Sequence, residues 1–167
     1  MYKGKITIKE TDESDLENII KLWGNPEVMK FVGFPQGLHK TLANMIDWYK
    51  KLKTDDNRKH FSIYAENIGY CGETYYGIDK EHDLAEMDIK LLPCARGKGI
   101  AYHALRFSLN EVFSKKLASR AYVDPNPENK KAWNLYYKLG FKDKKRPDFL
   151  PDWEYNTYLE ITEYMLN

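Results

Sequence analysis

The run Ala85-Glu86-Met87-Asp88-Ile89-Lys90-Leu91, with the Leu92-Pro93-Cys94-Ala95-Arg96-Gly97-Lys98-Gly99-Ile100-Ala101 that follows it, constrains the fold most. Ala85, Met87, Ile89 and Leu91 share one face and Glu86, Asp88 and Lys90 the other, the period-2 pattern of a strand with one buried face. Pro93 ends the ladder because it has no N–H to give. From Ala101 an apolar stripe continues at helical spacing through Ala104, Leu105, Leu109, Val112 and Phe113. A strand, a glycine loop and a helix start in succession make an anion site: the first-turn N–H groups and the helix dipole point at whatever sits there.

The flanking chain fits around this unit. Ile6 and Ile8 mark a first strand; Leu16, Ile19, Ile20 and Trp23 repeat at i, i+3, i+4, i+7 and predict a helix closed by Asn25-Pro26. Phe31 to Gly37 is apolar but broken by glycine and proline, so it reads as a loop. Leu42, Met45, Ile46, Tyr49 and Leu52 predict a second amphipathic helix. His60 to Glu66 and Ile68 to Tyr76 read as a hairpin turning near Asn67, with a bulge at Gly72. The polar stretch from Gly77 to Asp83 turns the chain. Ala118 to Val123 reads as a strand, and Asn126 and Pro127 as the cap and first position of a helix ending at Gly140. Phe141 to Lys145 and Tyr155 to Met165 are expected as closing strands. The order β-α-α-β-β-β-α-β-α-β-β implies antiparallel hairpins plus one parallel pair around the central loop.

Composition excludes several classes. With 26 cations against 25 anions, a net charge of +1, the chain is not a general nucleic-acid or membrane-surface binder. No run approaches the roughly 18 apolar residues of a membrane-spanning helix, and no apolar stretch follows Lys3 and Lys5, so no signal peptide is expected. Cys71 and Cys94 lie far apart without a metal-ligand pattern, which points to free thiols in the cytoplasm. No metal is expected, and His39, His60, His82 and His103 fall in no catalytic pattern.

Two segments carry the functional reading. Arg96-Gly97-Lys98-Gly99-Ile100-Ala101 lacks the Ser/Thr of a nucleotide P-loop and the third glycine of a dinucleotide fingerprint. With Arg96, Gly99 and Ala101 in place, it resembles the pyrophosphate loop of the GNAT acetyltransferase superfamily. Asn129, Ala132, Leu135, Tyr136 and Gly140-Phe141 resemble the second motif of that superfamily. Taken alone, that stretch is also an ordinary amphipathic helix with core aromatics. The two motifs stand in the superfamily's order with a strand between them. The resemblance implies one α/β (α+β) domain over residues 1–167. Its mixed, mostly antiparallel sheet of six to seven strands carries helices on both faces and splays between the fourth and fifth strands, at Ala85–Leu91 and Ala118–Val123. A finer likeness, to the aminoglycoside 6′-N-acetyltransferase branch, rests on Trp23-Gly24-Asn25-Pro26-Glu27-Val28 followed by Gly33, on Val123 to Asn129, and on Asp88 eight residues before Arg96.

The resemblance also implies site roles. Acetyl-CoA is the donor, held by backbone around Ile89 and Leu91, by the Arg96, Gly97, Lys98, Gly99, Ile100 and Ala101 loop, and by the Asn129 side chain. Asp88 is positioned to take a proton from the attacking amine, and Tyr136 to return one to the leaving thiolate. Each has a plainer reading: Asp88 in a salt bridge with Lys90, Tyr136 only packing against the sulfur. Glu86 and Lys90 pull the Asp88 pKa in opposite directions. The acceptor is expected to be a small-molecule primary amine, an aminoglycoside first, with Trp23, Phe31 and Glu73 on the substrate side. By default Trp23, Phe31, Phe34 and Trp48 are core aromatics, and Glu27, Glu73 and Asp152 are solvated charges. A peptide N-terminal acetyltransferase and an idle acyl-CoA-binding module are the alternatives, as monomer or homodimer.

Overall fold

A computed structural model of the chain describes residues 2–152 and 154–166. The elements run β1 (Ile6–Glu10), α1 (Leu16–Trp23), α2 (Pro26–Met29), α3 (Leu42–Thr54), β2 (Arg58–Ala65), β3 (Gly69–Asp79), β4 (Leu84–Leu91), α4 (Ile100–Ser114), β5 (Arg120–Val123), α5 (Lys130–Leu139), β6 (Lys142–Asp143) and β7 (Leu159–Thr162). The seven strands form one sheet in the order β1-β2-β3-β4-β5-β7-β6, antiparallel except for the β4–β5 pair. The expected mixed sheet is therefore present.

The parallel pair is short. Leu84, Ala85 and Glu86 pair with Arg120, Ala121 and Tyr122, and pairing stops there. From Met87 to Leu91 the β5 side of β4 has no strand partner among the described residues, which is the expected splay. Period 2 then sorts the β4 side chains. Ala85 and Met87 join Leu105, Leu109 and Val112 of α4 in the largest apolar cluster, while Glu86, Asp88 and Lys90 point to the other face. On that second face α1 and α3 pack through Leu16, Ile19 and Met45. Each fully buried leucine contributes about 1.5–3 kcal/mol relative to an exposed one, so α4, with Leu105 and Leu109 both at 0% exposure, is fixed against the sheet.

Gly72 shapes β4 from next door. Ile63 faces Gly72 but Tyr64 faces Tyr70, so Cys71 is the extra residue of a bulge. Gly72 has φ +151°, and a Cβ there would lie 2.0 Å from the Lys90 carbonyl oxygen. Only glycine lets β3 approach β4 this closely.

Several boundaries differ from expectation. The last helix starts at Lys130 and is capped by Asn129, whose Oδ1 accepts from Ala132 N at 3.2 Å. Asn126 instead caps a turn by accepting from Glu128 N at 2.9 Å. β3 runs on to Asp79, beyond the expected end at Tyr76, because pairing with both β2 and β4 carries it. The closing strands shrink to Lys142–Asp143 and Leu159–Thr162, since only those residues find partners. On α3, Met45 is buried, but Leu42 is 48% exposed and Ile46 37%.

Candidate active site

The splay opens a cleft of about 1140 Å³. The end of α1, α2 and the following loop wall it through Trp23, Glu27, Phe31 and Phe34; the polar face of β4 forms its floor; Asp124, Asn129 and Tyr136 close the far side. Phe34, expected in the core, is 41% exposed at the rim.

At one end lies the glycine loop. Gly97 and Gly99 take the left-handed conformation (φ +73° and +82°), which turns the chain sharply from β4 into α4. Gly99 is the N-cap of α4, no side chain caps that helix, and no acid sits in its first turn. The first-turn amides therefore open onto the cleft, where Gly97, Gly99, Ile100 and Ala101 all lie. Uncapped amides at the positive end of a 15-residue helix suit a diphosphate. Arg96 braces the loop: its Nε donates to the Leu91 carbonyl and one Nη to the Glu27 carbonyl, both at 3.1 Å. Lys98 is not among the residues that line the cleft; its carbonyl accepts from Tyr2 N at 2.9 Å.

On the floor, Asp88 pairs with Lys90 and accepts from its neighbour Ile89 N at 2.7 Å. A thioester oxygen seeking the Ile89 amide would first displace that carboxylate. Glu73, expected on the substrate side or as a solvated charge, is neither. It is buried at 2% exposure because α1 packs over β3, and three neighbours compensate its charge. Trp23 Nε1 donates to both its oxygens, at 2.9 and 3.1 Å; His60 Nε2 lies 3.1 Å away and Lys90 Nζ 3.4 Å. Burial pushes the Glu73 carboxyl up, but His60 and Lys90 outweigh it and hold it at about 2. Burial likewise works against the Lys90 ammonium, and Asp88 and Glu73 overturn that to raise it.

Two carboxylates join Asp88 at the splay. Glu86 sits one turn of the pleat before it on β4, and Asp124 directly follows β5. Burial pushes Glu86 up, a hydrogen bond with Tyr75 draws it back, and the Asp88 charge adds to the rise. Burial raises Asp124 too, against the pull of Arg146, whose Nη1 lies 3.2 Å away. Asp88 and Asp124 each lie in a recognisable segment, but neither segment announces that Glu86 joins them here. Only the parallel registration of β4 with β5 brings them together.

Across the cleft Tyr136 is 6% exposed and packs at a tilt on Phe141, with centroids 5.6 Å apart. Burial raises its pKa, and the Asp88 and Asp124 charges add to that, so its phenol keeps its proton at neutral pH. Tyr137 turns outward and donates to Asp143 at 2.9 Å.

A family model described as an acetyltransferase (GNAT) domain matches residues 5–142. The chain belongs to the GNAT acetyltransferase family. This GNAT enzyme is thus an acetyl-CoA-dependent N-acetyltransferase. It is 26% identical to an uncharacterized N-acetyltransferase, p20, of Bacillus licheniformis, over 100% of this chain and 94% of the relative. It is 24% identical to the spermidine N(1)-acetyltransferase of Escherichia coli K12, over 81% of this chain and 72% of the relative. Among solved structures, the spermidine N-acetyltransferase of Vibrio cholerae in complex with CoA and spermine shares the fold: TM-score 0.81, 22% identity, 96% of each chain. A domain from Methanocaldococcus jannaschii does so at TM-score 0.76 and 21% identity, over 96% of this chain and 99% of that one. The aminoglycoside branch expected from the sequence is not among these relatives. Among the described residues of this GNAT enzyme no helix is long and apolar enough to cross a membrane, and no group of three or more His, Cys, Asp and Glu is placed to hold a metal.

Proposed function

We propose that this enzyme acetylates a primary amine of a small polycation, a polyamine of the spermidine class, working as one domain over residues 1–167. The observation that carries the reading is the meeting of Glu86, Asp88 and Asp124 at the splay, beside the uncapped α4 start. An amine carrying a second positive charge gains at Glu86 and Asp124 what a monoamine does not, and their raised pKa values mean that a bound cation relieves an existing cost. The spermidine acetyltransferases among the relatives support the same class.

Acetyl-CoA supplies the acetyl group as a thioester. The chain's own residues do the rest in a ternary complex. Asp88 takes a proton from the substrate ammonium, directly or through a water, which frees the nitrogen lone pair. The new C–N bond forms as the C–S bond breaks, and backbone N–H groups of the Ile89–Leu91 segment receive the charge that develops on oxygen. The acylated nitrogen still carries a second proton, which it sheds through cleft water to Tyr136 as the phenol gives its own proton to the departing thiolate. Trp23 and Phe31 wall the acceptor side, and Asn129 holds the pantetheine arm with the amide its cap leaves free.

Aminoglycosides are the second reading, favoured because both segments of that likeness line the cleft, through Glu27 and Val28 and through Asp124, Asn126 and Asn129. Asp88→Asn should lower kcat about 100-fold at neutral pH, with the loss shrinking as pH rises and amine arrives deprotonated. Glu86→Gln should raise KM for spermidine while leaving KM for a monoamine unchanged. A fully active Asp88→Asn enzyme removes the base, and equal KM effects on both amines remove the polycation site.

A further inference from the structure

Asp88 is not free to act alone. Lys90 pairs with it and also lies 3.4 Å from Glu73 Oε1, so one ammonium stands between two carboxylates. Glu73 is in turn fixed from α1 by Trp23 and from β2 by His60. His60 Nδ1 meets Thr11 Oγ1 at 2.8 Å, and Thr11 meets Ser62 at 2.9 Å. Four of these residues, Thr11, His60, Ser62 and Glu73, are at 5% exposure or less. Lys90 is thus tied through Glu73 to buried groups on the sheet's second face.

The groups facing Asp88 come from every side. They are Glu86 and Lys90 on its own strand, Tyr75 from β3, Asp124 after β5 and Tyr136 from α5. Of these five, Lys90 alone is a cation. Glu86 and Asp124 bring further carboxylates to this end of the cleft, and the Lys90 ammonium is the charge set directly against the Asp88 carboxylate. Resting on the reading of Asp88 as base, we propose that Lys90, anchored by Glu73, is the positioning residue that holds the Asp88 carboxylate, its charge compensated, toward the acceptor amine.

Glu73 explains how Lys90 survives the proton transfer. When the substrate nitrogen gives its proton to an Asp88 oxygen, Asp88 becomes neutral and its attraction for Lys90 falls. A buried ammonium left without a partner is costly. Glu73 already lies within ion-pair reach and takes over the pairing, so Lys90 stays protonated throughout. The proton then leaves Asp88 for water in the cleft, and the pair reforms.

The test is the pH dependence of kcat/KM for CoA release with spermidine, on the full chain, with the CoA-induced rise in melting temperature certifying each variant's fold. Lys90→Met should move the acid limb up by about one pH unit or more, since a neighbouring cation lowers a carboxyl pKa by that much. Lys90→Arg should leave the limb in place. Glu73→Gln should move it down, because an anion is lost and Lys90 is left to Asp88 alone. Opposite shifts are not what a structural role produces. An unmoved limb in folded Lys90→Met, or a downward one, overturns the inference. Should Lys90→Met fail to take up CoA, an unmoved or raised limb in Glu73→Gln overturns it. A fully active Asp88→Asn variant instead defeats the reading of Asp88 as base, whereas an inactive one beside an unmoved Lys90→Met limb defeats this inference alone.

Discussion

Gly72→Ala tests whether close approach at the bulge builds the site floor. At φ +151° a Cβ is strained, at about 1–3 kcal/mol. The added methyl would also lie 2.0 Å from the Lys90 carbonyl oxygen and 2.9 Å from Leu91 Cα. Both are backbone atoms and cannot rotate aside, so β3 and β4 must part by more than an ångström at Lys90. Each ladder hydrogen bond weakened there costs about 1 kcal/mol. The total is about 3–5 kcal/mol, and at about 2–4 °C per kcal/mol for a chain of this size the melting temperature falls by roughly 6–20 °C. Gly33→Ala is the control: its φ is +89°, but no atom lies within 4 Å of the added Cβ. That leaves about 1–2 kcal/mol of strain alone. Thermal melts by circular dichroism measure both, and acetyl transfer well below the melting point should fall in Gly72→Ala only. Equal melting temperatures for the two variants would refute the packing argument.

Gly99→Asp places a carboxylate at the open α4 start. Wild-type protein should gain about 2.7 kcal/mol at a CoA concentration 100 times Kd, and the variant should show no CoA-dependent melting shift while its apo melt stays cooperative. Tyr136→Phe should keep the CoA shift and lose about 100-fold in kcat if the phenol donates the proton; loss of the CoA shift as well would mean that it only shapes the cleft. Glu73→Gln should lower stability at pH 7 by roughly 3 kcal/mol, because Lys90 and His60 lose their partner. The Glu73 pKa is depressed in the fold, so its contribution is present above the ordinary carboxylate value of 4.5 and is lost as pH falls toward about 2. Acid melts of the variant should therefore steepen less than wild type across that window, and parallel curves would contradict the shift.

What the sequence revealed was whatever short-range chemistry decides. The β4–loop–α4 unit, the bulge at Gly72 and the end of α5 at Gly140 each rest on a local rule: period 2, the missing Cβ, the left-handed cap. The splay is legible only through the resemblance of two segments to family motifs that flank one cleft. What stayed hidden depends on long-range placement. Glu73 looks like any solvated acid until α1 covers it and Trp23, His60 and Lys90 surround it. Glu86 and Asp124 are 38 residues apart by number, and only β4–β5 registration makes them neighbours. His60 sits outside every catalytic spacing because its partners are Thr11 just after β1, Glu73 on β3 and Trp48 on α3. Asn126 and Asn129 both carry the side chain of a helix cap, and the helix uses the second, three residues on. The choice falls on Asn129 because Lys130 is the first residue whose backbone continues into the helix. Sequence cues marked the charged pair Asp88 and Lys90 two residues apart, but not the second carboxylate that Lys90 also reaches.

The most direct measurement of the central claim is CoA release from acetyl-CoA by the intact enzyme across spermidine, a kanamycin-type aminoglycoside, a monoamine and a short peptide, with the acetylated product identified by mass. Spermidine should give the highest kcat/KM, and its product should carry one acetyl group on a primary nitrogen. Turnover of the peptide with no turnover of spermidine, or tight CoA binding with no amine stimulating release, would contradict it.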